Sequence, residues 1–169
     1  VGFHKFDLVT GARYSDLCIS VPSWRTHGGV LLTKAIKFQR VGNRNFPRYS
    51  KRIITRTGWT LDDVDRGIPH QISVRGIHNS RRAMDKMFGC DVGKDRFTCI
   101  ADRYGNTSTT THAVGFHEEI LAGRVDDGMR ILLISGASGI VVGHATLTLD
   151  DLPSRYRNFI ASGKALGSS

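Results

Sequence analysis

The sequence predicts an α/β fold with a mixed sheet covered by helices. Three observations carry this: strand-like and helix-like segments alternate, the strand-like segments are apolar enough to be buried, and the chain closes on two consecutive strands. Phe3, Phe6 and Leu8, then Leu17, Ile19 and Val21, alternate loosely around Thr10-Gly11-Ala12, which predicts two short strands joined by a loop. Residues 22–29 are a breaker stretch. Residues 31–39 are predicted as a short helix, ended by Gly42-Asn43-Arg44-Asn45 and Pro47, and residues 49–57 resume a basic helical pattern. Thr60-Leu61-Asp62-Asp63 reads as a capped helical turn, with acids where the helix dipole favours them.

Residues 65–71 form a compact strand tip that delivers His70. Ser73 is placed to cap a helix that runs to Phe88 and stops at Gly89. At 100° per residue Val74, Ile77, Met84 and Phe88 share one side of it. Arg75, Arg82 and Lys86 fall within about 40° of one another on the other side. Residues 96–101 are predicted as a strand. Asp102-Arg103-Tyr104-Gly105-Asn106-Thr107-Ser108 is then a polar turn into a helix reaching about Ala122. Residues 129–135 and 140–149 are strands around a bend at Gly136, Ala137, Ser138 and Gly139. Residues 1–152 thus form the folded unit, and 153–169 a polar tail ending in Gly167-Ser168-Ser169.

Composition narrows the function. The 169 residues, 40% hydrophobic and 23% charged, suit one domain or half of a doubled architecture. Lys plus Arg number 24 against 15 Asp plus Glu, a net charge of +9 that favours a polyanionic partner. Cys18, Cys90 and Cys99 are odd in number and widely spaced, against a disulfide framework or a Cys-based zinc site and in favour of a reducing cytoplasm. Each is read as a small buried hydrophobe. No apolar run reaches the 18 residues of a spanning helix. The chain opens on Val1, without signal-peptide features, and reads as a processed or excised piece.

The run Ile134-Ser135-Gly136-Ala137-Ser138-Gly139 looks like a dinucleotide-binding turn, but such a turn must open a helix and be followed by a strand carrying an acid. Here Ile140, Val141 and Val142 follow at once. The better reading is a strand–tight turn–strand in which small residues let backbone N–H groups approach a reacting centre. His70 and Asn106 then stand at successive strand-to-helix turns, so neighbouring parallel strands bring both to one sheet edge, with the small-residue turn beside them.

These segments resemble the C-terminal half of the ketoacyl synthase III group of the thiolase superfamily, over roughly residues 2–149 and most strongly over 64–143. The resemblance rests on Pro69-His70-Gln71, on Gly105-Asn106-Thr107-Ser108 preceded by Asp-Arg, and on the turn near Gly136. It implies the C-terminal half of a thiolase-like fold, completed by a separate N-terminal half or chain that carries a cysteine nucleophile. It implies His70 and Asn106 as catalytic residues, and Gly136, Ser138 and Gly139 as an oxyanion and acyl pocket. The implied reaction is decarboxylative condensation of a carrier- or CoA-bound acyl group with a malonyl-type thioester. Its enolate needs neutral donors in a dry site, and the acyl group needs a low-pKa cysteine. No cofactor is implied beyond phosphopantetheine or CoA as part of the substrate, and a higher-order dimer is expected. Ester or amide formation, with His70 as general base, or a non-catalytic partner role remain alternatives.

The sequence departs from the family in three places. His-Gln-Ala-Asn is His70-Gln71-Ile72-Ser73 here, the C-terminal turn is poorer in glycine, and the helix that lines the acyl channel is interrupted by Gly42 and Pro47. The stripe of Arg75, Arg82 and Lys86 is read as a docking face for an acyl carrier protein, Arg75 standing where the family places a carrier-docking arginine, with Arg81 off to one side. Nucleic acid is not expected, because the basic residues are not interleaved with exposed aromatics in a recognised module. No metal is expected either. His112, His117, Glu118 and Glu119 lack the spacing of a helical zinc pair, and His4, His27, His78 and His144 are isolated.

Overall fold

A computed structural model describes residues 1–25 and 28–163. His27 and the Gly167-Ser168-Ser169 tail lie outside the described residues. Strands β1 (Gly2–Thr10), β4 (Arg66–Pro69), β5 (Arg130–Ala137) and β6 (Val141–Thr148) form a mixed sheet in the order β1-β6-β5-β4. β4 and β5 are parallel, with Pro69 opposite Ile134, and the other pairs are antiparallel. β2 (Cys18–Ser23) and β3 (Gly28–Thr33) make a separate hairpin ribbon. Helices α1 (Ala35–Thr57) and α2 (Val74–Phe88) cover one sheet face, where Phe46, Ile53, Ile54 and Met84 pack on Leu132, Ile134 and Val142. α4 (Thr111–Leu121) and α5 (Leu152–Ala161) cover the other, where Ile120 and Tyr156 meet Ile68, Ile131 and Leu147. This is the expected α/β mixed sheet under helices.

Several expected elements stand where the sequence puts them. Ser73 Oγ accepts from the Gly76 N–H at 3.0 Å to start α2, and Gly89 ends it at φ +71°. Thr60 and Asp63 close a capping box around a short 3-10 turn.

Four expectations need correction. Leu31 and Leu32 belong to β3 rather than to a helix. α1 is one helix of 23 residues through Gly42 and Pro47, because burial of Phe46, Pro47, Ser50, Ile53 and Ile54 outweighs the local breakers. Residues 96–101 make no strand: a single bridge joins Phe97 to Gly67. The polar tail begins as helix α5, with Pro153 in its first turn and Tyr156 bonded to His117 at 2.9 Å.

His144 is 2% exposed between β1 and α1, its Nε2 at 2.8 Å from Ser50 Oγ. Burial first, with Arg52 adding and Asp7 opposing, pushes its pKa down to about 4. The unfolded state therefore binds this proton more readily between about pH 6.5 and 4. The contribution is intact above pH 6.5 and is lost as pH falls toward 4, for a total of about 3 kcal/mol. Urea denaturation at pH 7 and 4.5 should show a steeper loss for the wild type than for His144→Asn. Equal losses would contradict this placement of His144.

Candidate active site

Three contacts lock α4 antiparallel along β4. At one end Arg66, 9% exposed, lies 3.3 Å from the carboxylate of Glu119, 2% exposed. In the middle Gly115 lets the helix touch the strand: a Cβ there would stand 2.8 Å from Ile68 Cγ2. At the other end the Gln71 N–H donates to Thr111 Oγ1 at 2.9 Å. His70 follows β4 directly, its own N–H donating to the Ile134 carbonyl at 2.7 Å. The end of β4 and the start of α4 are thus held together at the sheet's carboxyl edge.

Gln71, fully buried, ties in the third segment. Its Nε2 donates to the carbonyls of Pro69 at 2.8 Å and Thr98 at 3.1 Å, and its Oε1 accepts from the Ile100 N–H at 2.9 Å. Residues 97–100 therefore run alongside β4 in the same direction, with Thr98 N–H on the Gly67 carbonyl at 3.0 Å. They lead into the one-turn helix α3 (Ala101–Tyr104) and then Gly105, whose φ of +63° turns the chain toward Asn106. Asn106 Oδ1 accepts from the Ser108 N–H at 2.9 Å. That bond fixes which end of the carboxamide faces its own loop and leaves the NH2 as donor. Ser108 is held at φ +54°, a strained conformation for a non-glycine residue.

His70 is half-buried, and burial, then the neighbouring His112, holds its pKa below the usual range, so its imidazole is neutral at pH 7. His112, on the first turn of α4, places Nε2 3.3 Å from the Ile134 carbonyl that also receives the His70 N–H. Burial lowers its pKa as well.

The bend between β5 and β6 also lies at the carboxyl edge, but it is shifted from its expected position. Gly136 is a strand residue paired with Val142, and the turn is Ser138-Gly139-Ile140. Ile140 sits at φ +48° with its side chain 5% exposed, and its carbonyl accepts the Gly11 N–H at 2.7 Å. Core burial thus holds a β-branched residue in the left-handed region. Space beside Gly136 and Gly139 is open, with nothing within 4 Å of a built Cβ.

Cys18 is buried beside this turn, its Sγ 3.2 Å from both Ser138 Oγ and Thr33 Oγ1, which lower its thiol pKa. Cys99 is half-buried, its thiol pKa raised mainly by burial, whereas Cys90, just past Gly89, is exposed, against the expectation of three buried thiols. Arg75, Arg82 and Lys86 are exposed on α2, with Arg82 Nη2 donating to Asn79 Oδ1 at 2.7 Å. Arg81 turns aside to Asp85 and Asp91, as expected. Among the described residues no group of three or more His, Cys, Asp or Glu is gathered for a metal, and no helix is long and apolar enough to cross a membrane.

Gln71 stood in the Pro69-His70-Gln71 motif without a role of its own, and Thr111 and Gly115 were not singled out from the sequence. For the two helix residues the signal is present in Thr111, Gly115 and Glu119, a buried i, i+4, i+8 row that marks the α4 face against β4.

A neutral imidazole and an oriented carboxamide thus stand on segments laced at one sheet edge, under the topology of the C-terminal half of a thiolase-like fold. Residues 54–149 match the model of the family described as 3-oxoacyl-[acyl-carrier-protein (ACP)] synthase III C terminal, and the chain belongs to that family. Beta-ketoacyl-[acyl-carrier-protein] synthase III of Staphylococcus aureus (strain Newman) is 28% identical over 98 residues, covering 58% of this chain and 29% of that protein. The Geobacillus kaustophilus protein of the same name is 29% identical over 104 residues, covering 62% and 32%. Among solved structures, the synthase III of Thermus thermophilus superposes with a TM-score of 0.74 at 25% identity, over 88% of this chain and 46% of that one. The priming beta-ketosynthase of the R1128 polyketide pathway shares the fold, with a TM-score of 0.75 at 18% identity, over 89% and 46%. The chain spans about three tenths of the curated relatives and under half of these structures.

Proposed function

We propose that this chain is the His/Asn-bearing half of a ketosynthase III-like acyltransferase that catalyses decarboxylative Claisen condensation. The observation that carries the reading is the buried Gln71, bonded at once to the His70 segment and to the strand-like run that leads to Asn106. On this reading an acyl group is held as a thioester on a cysteine of the N-terminal half. A malonyl thioester loses carbon dioxide, and the electron pair left behind forms an enolate. His70 Nε2–H and Asn106 Nδ2–H donate to its oxygen. The enolate carbon attacks the acyl carbonyl, the cysteine thiolate leaves, and Gly136 near the end of β5 with Ser138 and Gly139 of the turn face the oxyanion formed on the way.

The neutral state of His70 allows donation to an enolate without added charge, and it is also the state that general-base work would need. Exposed Phe3, Phe6 and Leu8 on β1, Leu31 on β3 and Ile36 on α1 support packing of another polypeptide segment there. On this reading the enzyme is a cytoplasmic dimer that needs no cofactor beyond a phosphopantetheine- or CoA-bound substrate. Mass analysis of the product from an acyl-CoA and a malonyl carrier tests it: a β-ketoacyl thioester with release of carbon dioxide is expected. An ester or amide formed without that release would replace the reading by acyl transfer to oxygen or nitrogen.

The carrier is taken to meet Arg75, Arg82 and Lys86. Arg75→Glu with Arg82→Glu should raise KM for carrier-bound substrate about tenfold or more at low salt, with a smaller effect at high salt. Unchanged KM at low salt would remove the carrier from this face.

A further inference from the structure

Thr111 and His112 follow one another on the first turn of α4, and each holds one residue at the end of β4. Thr111 Oγ1 accepts the Gln71 N–H at 2.9 Å. His112 Nε2 lies 3.3 Å from the Ile134 carbonyl, which accepts the His70 N–H at 2.7 Å. A carbonyl oxygen has two lone pairs and can serve both donors. Two neighbouring helix residues therefore fix the backbone of His70 and Gln71, one of them through β5. Donation to the carbonyl requires a hydrogen on His112 Nε2, which leaves Nδ1 bare in the neutral ring. Ile134 stands two residues before Gly136, and His112 follows Asn106 by six. The one carbonyl thus joins the three chain segments that carry His70, Asn106 and the small-residue turn.

Helix formation does not call for a histidine here. It is a weaker helix former than alanine or leucine, it is half-buried, and it sits at the positive end of the α4 dipole, where its charged form is disfavoured. It is also the charge-bearing group that acts on His70. The other titratable groups on the surrounding elements are engaged elsewhere or lie apart. Arg66 of β4 faces Glu119, Arg130 of β5 pairs with Asp63, and Glu118 of α4 accepts from Arg103 and Tyr104. Asp102 acts on Cys99, and Arg75 of α2 is exposed. Burial, opposed by the carbonyls of Ile134 and Ile68, holds the His112 pKa down, and burial followed by His112 does the same for His70. Both rings are neutral at pH 7, and as pH falls a proton on one is resisted by a proton on the other.

We propose that His112 is a positioning residue for His70, acting through the Ile134 carbonyl that both residues engage. That role rests on the proposed function for the reaction it serves, but not for the contact itself. The Nε2–H of His112 is committed to the backbone, so what it supplies is the placement of the His70 imidazole rather than a bond to the substrate. A metal pair is not indicated: among the described residues no third His, Cys, Asp or Glu is gathered beside the two rings. Small displacements of a donor matter here, because its bond to the enolate oxygen strengthens only as charge develops. Replacing His112 by a group that never carries charge also removes one of the two causes that hold His70 neutral, so His70 should then titrate at higher pH.

The test compares His112→Val, His112→Gln and His117→Gln in the full-length enzyme, both halves present, with thermal melts to confirm folding. Valine cannot donate to the carbonyl, whereas a glutamine amide reaches about as far as Nε2 and donates without titrating. His112→Val should lower kcat for carbon dioxide release from a malonyl carrier about tenfold, with KM and acyl loading of the cysteine little changed. His112→Gln should recover most of that rate at neutral pH. His117 lies further along α4, bonded to Tyr156, and His117→Gln should match the wild type. Hydrogen exchange at the His70 amide should be faster in His112→Val and restored in His112→Gln. NMR of isotope-labelled histidine should show the His70 ring titrating at higher pH in His112→Gln than in the wild type. A His112→Val enzyme with wild-type kcat overturns the assignment. So does a His112→Gln or His117→Gln enzyme as slow as His112→Val, or a His70 ring whose titration does not move. A wild type that releases no carbon dioxide removes the proposed function instead, and the exchange and titration readouts then decide the role of His112.

Discussion

Asn106→Ala and His70→Ala, each in the enzyme assembled with its cysteine-bearing half, are expected to slow carbon dioxide release from a malonyl carrier by about 10²–10³-fold. Each change removes one donor from an oxygen that gains charge only as the carbon–carbon bond to the carboxylate breaks. The loss should therefore fall on kcat, with little change in KM. The double variant should lose less than the product of the two, because one donor without the other holds the enolate poorly. Loading of the acyl group onto the cysteine precedes the enolate and should continue in all three. The structure supports this division of labour. Burial and His112 keep the His70 imidazole neutral, so that it can donate without adding charge, and the Ser108 N–H occupies the Asn106 oxygen, which leaves the carboxamide NH2 to donate. Release that continues at the wild-type rate in either single variant would take that residue out of the chemistry.

The second large effect concerns stability. Gln71→Ala should cost about 3 kcal/mol or more in urea unfolding, because it strands the Ile100 N–H and the carbonyls of Pro69 and Thr98 in a site without water access. Hydrogen exchange at the Ile100 amide should accelerate in step with the loss. Gln71→Glu should fare no better, since a carboxylate cannot donate to either carbonyl and its charge would be buried. A loss below about 1 kcal/mol would mean that the His70 and Asn106 segments are held together by something else.

The sequence made some of this legible and not the rest, for physical reasons. α2 was readable to the residue because its signals are local: a serine cap, an apolar stripe and a glycine stop, all within one segment. That the segments carrying His70 and Asn106 run in one direction side by side was readable from the alternation of the sequence, although the second of them is not a strand. α1 was misread where Gly42 and Pro47 argue locally for a break. Its continuity comes from packing on the sheet, which no window of that segment contains. The supposed strand at 96–101 failed for a related reason: it lies beside β4 but is held mainly by one glutamine side chain, with a single backbone bridge. Gly136 was assigned to the turn because it is a glycine. The three-residue loop instead begins at Ser138, and the buried Ile140 side chain holds the left-handed position that glycine usually fills.

The most direct test is a crystal structure of the full-length enzyme with its cysteine acylated and a non-decarboxylating malonyl thioester analogue bound. The thioester oxygen should lie within about 3 Å of both His70 Nε2 and Asn106 Nδ2, with the acylated sulfur facing it across the cavity. An oxygen bound by only one of the two, or a nucleophilic sulfur that lies elsewhere, would contradict the assignment.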